Sequence, residues 1–306
     1  MKSKSNNGAK FVEGIGNATK TISDTTKTFV KSSTELATKS KNLVINAIDE
    51  NGNGEIDIED IIVKGFKTPG IKINRAHFLK SELNKNYPIE VIDDVIAHNP
   101  AHAKISVEEI NNIAEEVIKF ERNCVSGISA ALGAPGGVAM VATIPADIIQ
   151  YYGYMLRATQ KLLYLYGFPE LNLEENEHGL DSETMNIMII CLGVMYGSAS
   201  ANNAIKAISR ALAVGVEKKL INAALTKGTI YPIVREVAKW FGKRMTKEVF
   251  AGFFKKVIPL VGGVIGGGIT FISFEASCKL LKDSLKDTRL SNPSNDFIDQ
   301  EVLELV

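Results

Sequence analysis

The sequence is poor in the residues on which most catalytic and metal-binding motifs depend. It has three cysteines, four histidines and one tryptophan in 306 residues. Cys124, Cys191 and Cys278 are scattered and lack CxxC or CxxH spacing, which argues against a disulfide or zinc framework and favours a reducing compartment. No GxSxG motif is present, and GAPGG at 133–137 lacks the Lys-Ser/Thr of a phosphate-binding loop.

An excess of one charge sign is also absent, because 35 Lys and Arg balance 35 Asp and Glu. The charges are nevertheless segregated: 1–48 carries eight lysines against three acids, 49–60 has six acids and no base, and 206–256 has twelve bases against three acids. No nucleic-acid reader motif accompanies these bases, so no nucleic-acid partner is expected. No apolar stretch follows the first lysines, so we expect no signal peptide.

Strand signals are missing as well, since no segment combines β-branched residues, period-two alternation and hairpin turns. Helix signals are frequent: Asn74 and Asp181 can each cap a helix, and Ser106 with Glu109 forms a capping box. Pro88 suits a first helical position. Further amphipathic helices are predicted over 204–225 and 232–256. The sequence therefore predicts an all-α, multi-helix bundle with closely packed glycine-rich helices.

The predicted organisation begins with a polar, basic leader. A weak apolar stripe in this leader is compatible with a helix lying on an anionic membrane, and the alternative is a flexible segment. The predicted parts, in chain order, are the leader (1–40), an EF-hand-like helix–loop–helix (41–66), a short helical region (70–104), a large all-helical domain (105–290) and an acidic tail (291–306).

The clearest chemical motif is the acidic loop 49-DENGNGEIDIED-60. An EF-hand loop needs oxygen ligands at positions 1, 3, 5, 7, 9 and 12 and a glycine at position 6. Gly54 meets the glycine requirement, and Asp60 at position 12 replaces the usual glutamate, as in dockerin-type loops, which this segment resembles. We predict a weak Ca²⁺ site, or a Mg²⁺ site, with an acidic turn that binds no ion as the alternative. The predicted ligands are Asp49, Asn51, Asn53, the Glu55 carbonyl, Asp57 and Asp60.

Three windows lack charged residues: 123–146, 184–205 and 257–274. The last is 18 residues long, which is marginal for crossing a membrane, and its five glycines oppose insertion. Gly262 and Gly266 form a GxxxG pair that permits close helix packing in lipid or in a soluble core. Buried, closely packed helices are the favoured interpretation, and membrane insertion or peripheral embedding is the alternative.

A polar stripe runs along the helix predicted to begin near Pro145. Its members recur at helical spacing, and an acid in the first turn suits the helix dipole. A buried stripe would be a functional site, whereas an exposed one would be an ordinary solvated face. The candidate polar site comprises Asp147, Gln150, Tyr154 and Arg157, with Lys161 one turn further on.

The histidines at 98 and 102 have a four-residue spacing that can place two imidazoles on one helical face. Pro100 lies between them and should break that helix, so the sequence argues against a metal site there.

The motif IPADIIQ…R..Q.LLYLYGFPEL, with the later GKRMTKEVFAGFFKKVIPLVGGVIGGG, resembles the EcsC family of bacterial proteins over about 105–285. The resemblance implies an all-α, membrane-associated bacterial protein. It supplies no catalytic residues and no organic cofactor.

These patterns together predict a membrane-associated accessory or regulatory protein with a calcium-binding loop. It would lie at the cytoplasmic side of a bacterial membrane, with an anionic lipid surface or a membrane protein such as a transporter as partner. The alternatives are an enzyme of unknown reaction centred on the Asp147/Arg157 helix and a soluble lipid-binding or scaffold domain.

Overall fold

The computed structural model describes residues 42–133, 139–174, 180–216, 218–241 and 265–293. The chain divides into two compact units, Met1–Val44 and Ile45–Val306, and only 42–44 of the first unit are described. Eleven helices and no strand occupy the described ranges, so the predicted all-α fold is confirmed. The predicted leader (1–40) lies outside these ranges, as do 294–306 of the predicted acidic tail and 242–264, which includes Gly262 of the GxxxG pair and basic residues before it.

The helices are α1 (42–48), α2 (Ile58–Lys67), α3 (Arg75–Leu83), α4 (Ile89–Ala97), α5 (Val107–Gly133), α6 (Ala139–Leu165), α7 (Ser182–Met195), α8 (Ala199–Ala213), α9 (Lys218–Thr226), α10 (231–241) and α11 (Ile265–Lys286).

Local capping chemistry sets several of these boundaries as predicted. The Asn74 side chain accepts a hydrogen bond from the His77 amide at 2.8 Å, and the Asp181 side chain accepts one from Thr184 at 2.9 Å. Ser106 and Glu109 form the reciprocal capping box that begins α5. Each cap satisfies amide groups that have no partner in the first helical turn.

The central layer consists of α5, α6 and α11. Ser129 of α5 donates to Asp147 of α6 at 2.7 Å, and Lys161 of α6 contacts Glu121 of α5 at 2.5 Å, so these two helices are antiparallel. Arg122 of α5 pairs with Glu275 of α11, and Glu115 of α5 pairs with Lys282, which makes α11 antiparallel to α5 as well.

Helix α7 is buried along most of its length, from Ile187 to Met195. Gly193 permits close packing there, because a Cβ atom at this position would come within 2.8 Å of both Ala201 of α8 and Val237 of α10. The part of the uncharged window that lies in α7 is thus a buried, closely packed helix, as predicted, whereas 196–200 are half-buried or exposed.

Two predicted boundaries are wrong. The helix predicted over 204–225 is two helices, because the chain turns at Gly215 with a φ of 75° before α9 begins. Pro145 does not begin its helix but lies inside α6, which starts at Ala139. An interior proline removes one backbone hydrogen bond. Helix α6 packs against α5 and α11 along its length, and because it begins at Ala139, Asp147 lies beyond its first turn.

Candidate functional site

The acidic loop lies between α1 and α2, and two glycines give it its shape. Gly52 and Gly54 have φ values of 72° and 80°, a left-handed backbone that residues with a Cβ rarely adopt. These turns direct the amides of both glycines to Asp49, whose two carboxylate oxygens accept them at 2.7 and 2.8 Å. The first predicted ligand is therefore fixed by the backbone of the loop.

The two asparagines of the loop are oriented in the same way. Asn51 accepts the Asn53 amide at 3.0 Å through its side-chain oxygen, and Asn53 accepts the Glu55 amide at 2.7 Å. The side-chain NH₂ groups of both asparagines donate to one oxygen of Asp57, at 3.3 and 2.8 Å. Entry of a cation would have to displace these donors from Asp57.

Asp60 joins the loop to α2. It lies in the first turn of α2, is only 3% exposed, and its two oxygens accept the amides of Glu50 at 3.2 Å and Asp57 at 3.1 Å. Burial raises the pKa of Asp60, and the nearby charges of Asp57 and Asp49 add to this, while the two amide hydrogen bonds oppose it. A cation would offset the electrostatic cost of this buried carboxylate.

Glu50 is engaged elsewhere. It pairs with Lys64 at 2.5 Å and Lys67 at 2.9 Å on α2, and these two hydrogen bonds lower its pKa. The other atoms that the loop offers to a metal are all oxygens, which is the ligand type that Ca²⁺ and Mg²⁺ prefer. The ligand chemistry of the loop therefore suits a hard divalent cation, whereas its carboxylates do not converge on one point in this structure.

The polar stripe of α6 is buried at Asp147 and Lys161 and half-buried at Gln150, Tyr154 and Arg157. Asp147 is 8% exposed and accepts the hydroxyl of Ser129 from α5. Burial raises the pKa of Tyr154, with smaller contributions from Cys124 and Glu121. The side-chain amide of Gln150 is buried and has no hydrogen-bond partner in the part of the chain that the structure describes. The predicted stripe thus combines buried and half-buried polar groups, and it is not an ordinary solvated face.

Glu121 of α5, which the sequence reasoning missed, organises the other end of this stripe. It is fully buried, and one of its oxygens binds Arg157 at 3.0 Å and Lys161 at 2.5 Å. Its other oxygen is buried without a partner among the described residues. The sequence does contain a signal for this buried acid, because Glu121 interrupts the apolar stripe that Ala114, Ile118 and Val125 form on α5.

Two side chains of α6, Arg157 of the stripe and Gln160, also hydrogen-bond to the segment that follows α2. Arg157 donates to the carbonyl of Gly70, while Gln160 donates to Ile71 at 3.0 Å and accepts the amide of Ile73 at 2.9 Å. Helix α2 itself approaches α6 closely, because a Cβ atom on Gly65 would lie 3.5 Å from the Cα of Gly153. The helix beginning at the acidic loop is therefore in direct contact with the helix that bears the polar stripe.

A second cluster lies at the end of α4, where the sequence argued against one. Asp94 accepts His98 Nδ1 at 2.9 Å and His102 Nδ1 at 3.1 Å, and the two imidazole rings stack with centroids 4.0 Å apart. Desolvation acts to raise the pKa of Asp94, but the hydrogen bonds from His102 and His98 outweigh it and lower that pKa.

The helix ends before Pro100 as predicted, but the following turn brings His102 back to Asp94, so the break does not keep the two histidines apart. Within the described ranges, Asp94, His98 and His102 are the one group of three His, Cys, Asp or Glu side chains whose ligand atoms lie within 4.8 Å of one another. The carboxylates of the acidic loop do not form such a group.

Comparisons of the chain with protein-family models, with curated proteins and with solved structures returned no match. The resemblance to the EcsC family stays a prediction. In the part of the chain that the structure describes, every helix is too short or too polar to span a membrane.

Proposed function

We propose that this protein is a membrane-associated accessory or regulatory protein whose loop at 49–60 binds Ca²⁺ or Mg²⁺. The observation that carries the proposal is the position of Asp60, which belongs both to the oxygen-rich loop and to the first turn of α2. A cation on Asp60 would stabilise the start of α2, because it would neutralise a buried carboxylate whose pKa is raised by that burial.

A route for regulation follows from the contacts of α2. The helix packs on α6 at Gly65 and Gly153, and the chain after it is bound by Arg157 through the Gly70 carbonyl. Arg157 in turn binds the buried Glu121. Cation occupancy of the loop would therefore act on the α5–α6 interface through one continuous series of packed groups.

Membrane association is supported by one end of the central layer. Contacts between the antiparallel helices, Ser129 with Asp147 and Arg122 with Glu275, show that the C-terminal end of α5 lies beside the N-terminal ends of α6 and α11. The sequence has no charged residue over 123–146 or 265–274. Phe271 and Ile272 are exposed there, Ile272 to 71%, so an apolar surface is available for the lipid interface.

Calcium binding is tested by calorimetric titration of the wild type and of two loop variants. We expect a dissociation constant of about 10⁻⁵ to 10⁻³ M for the wild type, because only three charged ligands are available. Asp49→Ala should abolish the binding heat, since it removes a ligand. Glu55→Ala is the matched control and should bind normally, because Glu55 contributes only its backbone carbonyl. A titration of the wild type as silent as that of Asp49→Ala would remove the ion site.

Membrane association is tested by flotation with phosphatidylglycerol-containing vesicles, with Ca²⁺ and with a chelator. Ile272→Gln should weaken partitioning about 10-fold or more, because burial of an isoleucine side chain is worth about 1.5–3 kcal/mol. Val214→Gln, which alters an exposed residue at the end of α8, is the control and should float like the wild type. If the wild type stays in the soluble fraction under both conditions, the membrane part of the proposal fails and a soluble scaffold or lipid-binding domain replaces it.

A second candidate is an enzyme of unknown reaction centred on the Asp147/Arg157 helix. It is favoured by the buried polar atoms of Glu121 and Gln150 that have no partner among the described residues. Buried groups of this kind are costly to maintain unless they have a function. Asp147→Asn should then abolish a cellular phenotype while the protein keeps its fold.

A further inference from the structure

We propose that Asp94, His98 and His102 form a binding site for a divalent transition metal such as Zn²⁺. The site lies on the surface at the end of α4, apart from the acidic loop in sequence and different from it in ligand chemistry. Two imidazole nitrogens and one carboxylate are a donor set that suits Zn²⁺, Co²⁺, Ni²⁺ and Cu²⁺ better than Ca²⁺ or Mg²⁺.

The distances suit a shared ion. Zinc bonds of about 2.0–2.2 Å to nitrogen and oxygen place neighbouring tetrahedral ligand atoms roughly 3.3–3.6 Å apart. The two histidine Nδ1 atoms lie 2.9 and 3.1 Å from the same Asp94 oxygen, and all three ligand atoms are within 4.8 Å of one another. The two rings stack with an interplanar angle of 21°, so binding of a shared ion would require the exposed imidazoles to rotate until both Nδ1 lone pairs point at it.

The backbone that carries the ligands is held by the protein core. Asp94 and His98 are one helical turn apart on α4, so they project from the same face. The Asn99 side chain then accepts the His102 amide at 2.8 Å, and Lys104 adopts a φ of 60° that completes the turn before α5. His102 is thereby returned to Asp94.

The buried guanidinium of Arg75 anchors the backbone at the end of α4. It donates to the carbonyls of Ile96 at 2.7 Å and His98 at 3.0 Å, and also to Val95. Two of the three proposed ligands thus belong to a helix end that is tied to the core. Preorganised ligands lose less conformational entropy when they bind an ion.

The side chains of His98 and His102 are 53% and 55% exposed, so a metal held there keeps at least one coordination position open. Bound metal would link the end of α4 to the turn that leads into α5. The open position would accept water or a ligand atom from a partner.

The test is a calorimetric titration of the full chain with Zn²⁺ under reducing conditions, together with Co²⁺ absorption spectra. The wild type should bind one equivalent and give a cobalt spectrum without a sulfur-to-metal charge-transfer band, which separates this site from Cys124. His98→Gln/His102→Gln and Asp94→Asn should weaken binding by more than the roughly 10- to 100-fold that follows loss of a group supporting a ligand.

His77→Gln is the matched control, because His77 is exposed on the neighbouring helix α3 and should not affect binding. Asp49→Ala should also bind Zn²⁺ like the wild type, which separates this site from the acidic loop. The proposal is overturned if the wild type does not bind Zn²⁺, or if the double histidine variant binds it as tightly as the wild type does. In either case the three residues form an imidazole–carboxylate hydrogen-bond cluster only.

Discussion

Replacement of Glu121 by alanine should lower the free energy of unfolding by about 3–5 kcal/mol. Glu121 is fully buried and is the anionic partner of Lys161, which is itself only 6% exposed, and of the partly exposed Arg157. Removal of the carboxylate leaves the ammonium of Lys161 in the interior with no compensating charge. That loss is a large part of the stability expected for a domain, which is about 5–15 kcal/mol.

The measurement is equilibrium urea unfolding of Glu121→Ala beside Glu116→Ala. Glu116 lies on the same helix but pairs with Lys119 on the surface, so its loss should cost at most about 1 kcal/mol. The double variant Glu121→Leu/Lys161→Met should recover much of the loss, because it removes both members of the buried pair. If Glu121→Ala is as stable as Glu116→Ala, the pair is not structural and the enzyme alternative gains weight.

Replacement of Arg75 by lysine should destabilise the protein by about 3 kcal/mol or more. The guanidinium is 7% exposed and donates to four backbone carbonyls: Phe168, Ile96, Val95 and His98. A lysine ammonium has its donors on one atom and cannot reach acceptors spread over this range. Burial also lowers the pKa of Arg75, which the charge of Glu170 partly opposes, and lysine is less able to keep its charge in such a site.

Thermal and urea unfolding of Arg75→Lys check this prediction, with Lys80→Ala as the control on an exposed face of the same helix. The control should fall within about 0.5 kcal/mol of the wild type. Arg75→Lys should also weaken binding of Zn²⁺ at the end of α4, because the His98 carbonyl loses its anchor. A variant with wild-type stability would mean that the four carbonyls are satisfied without the guanidinium.

Features that depend on residues three or four apart could be predicted from the sequence. The caps at Asn74, at Ser106 with Glu109 and at Asp181 form in the structure because each requires only its own helical turn. The glycine turns of the acidic loop are local in the same way. Local chemistry predicted the wrong helix start at Pro145. A proline usually begins or ends a helix, but α6 is packed between long helices and continues through Pro145.

The polar stripe shows the limit of such reasoning. Its spacing on α6 was visible, but its burial depended on α5 lying against it, and Glu121 is 36 residues from Arg157 in sequence. The Asp94–His98–His102 cluster does not follow from helical spacing, because Pro100 ends the helical pattern and a tight turn then brings His102 back beside His98.

The sequence by itself determined that this protein is all-helical, where many of its helices begin, and that its acidic loop carries oxygen-bearing residues at EF-hand spacing. These properties follow from local propensity, capping and spacing. Only the tertiary structure decided that the buried Glu121 pairs with Arg157 and Lys161 of α6 and that two histidines share one carboxylate. The first depends on which distant helix packs against α6, and the second on the turn after Pro100 that returns His102 to Asp94, so neither follows from helical spacing alone.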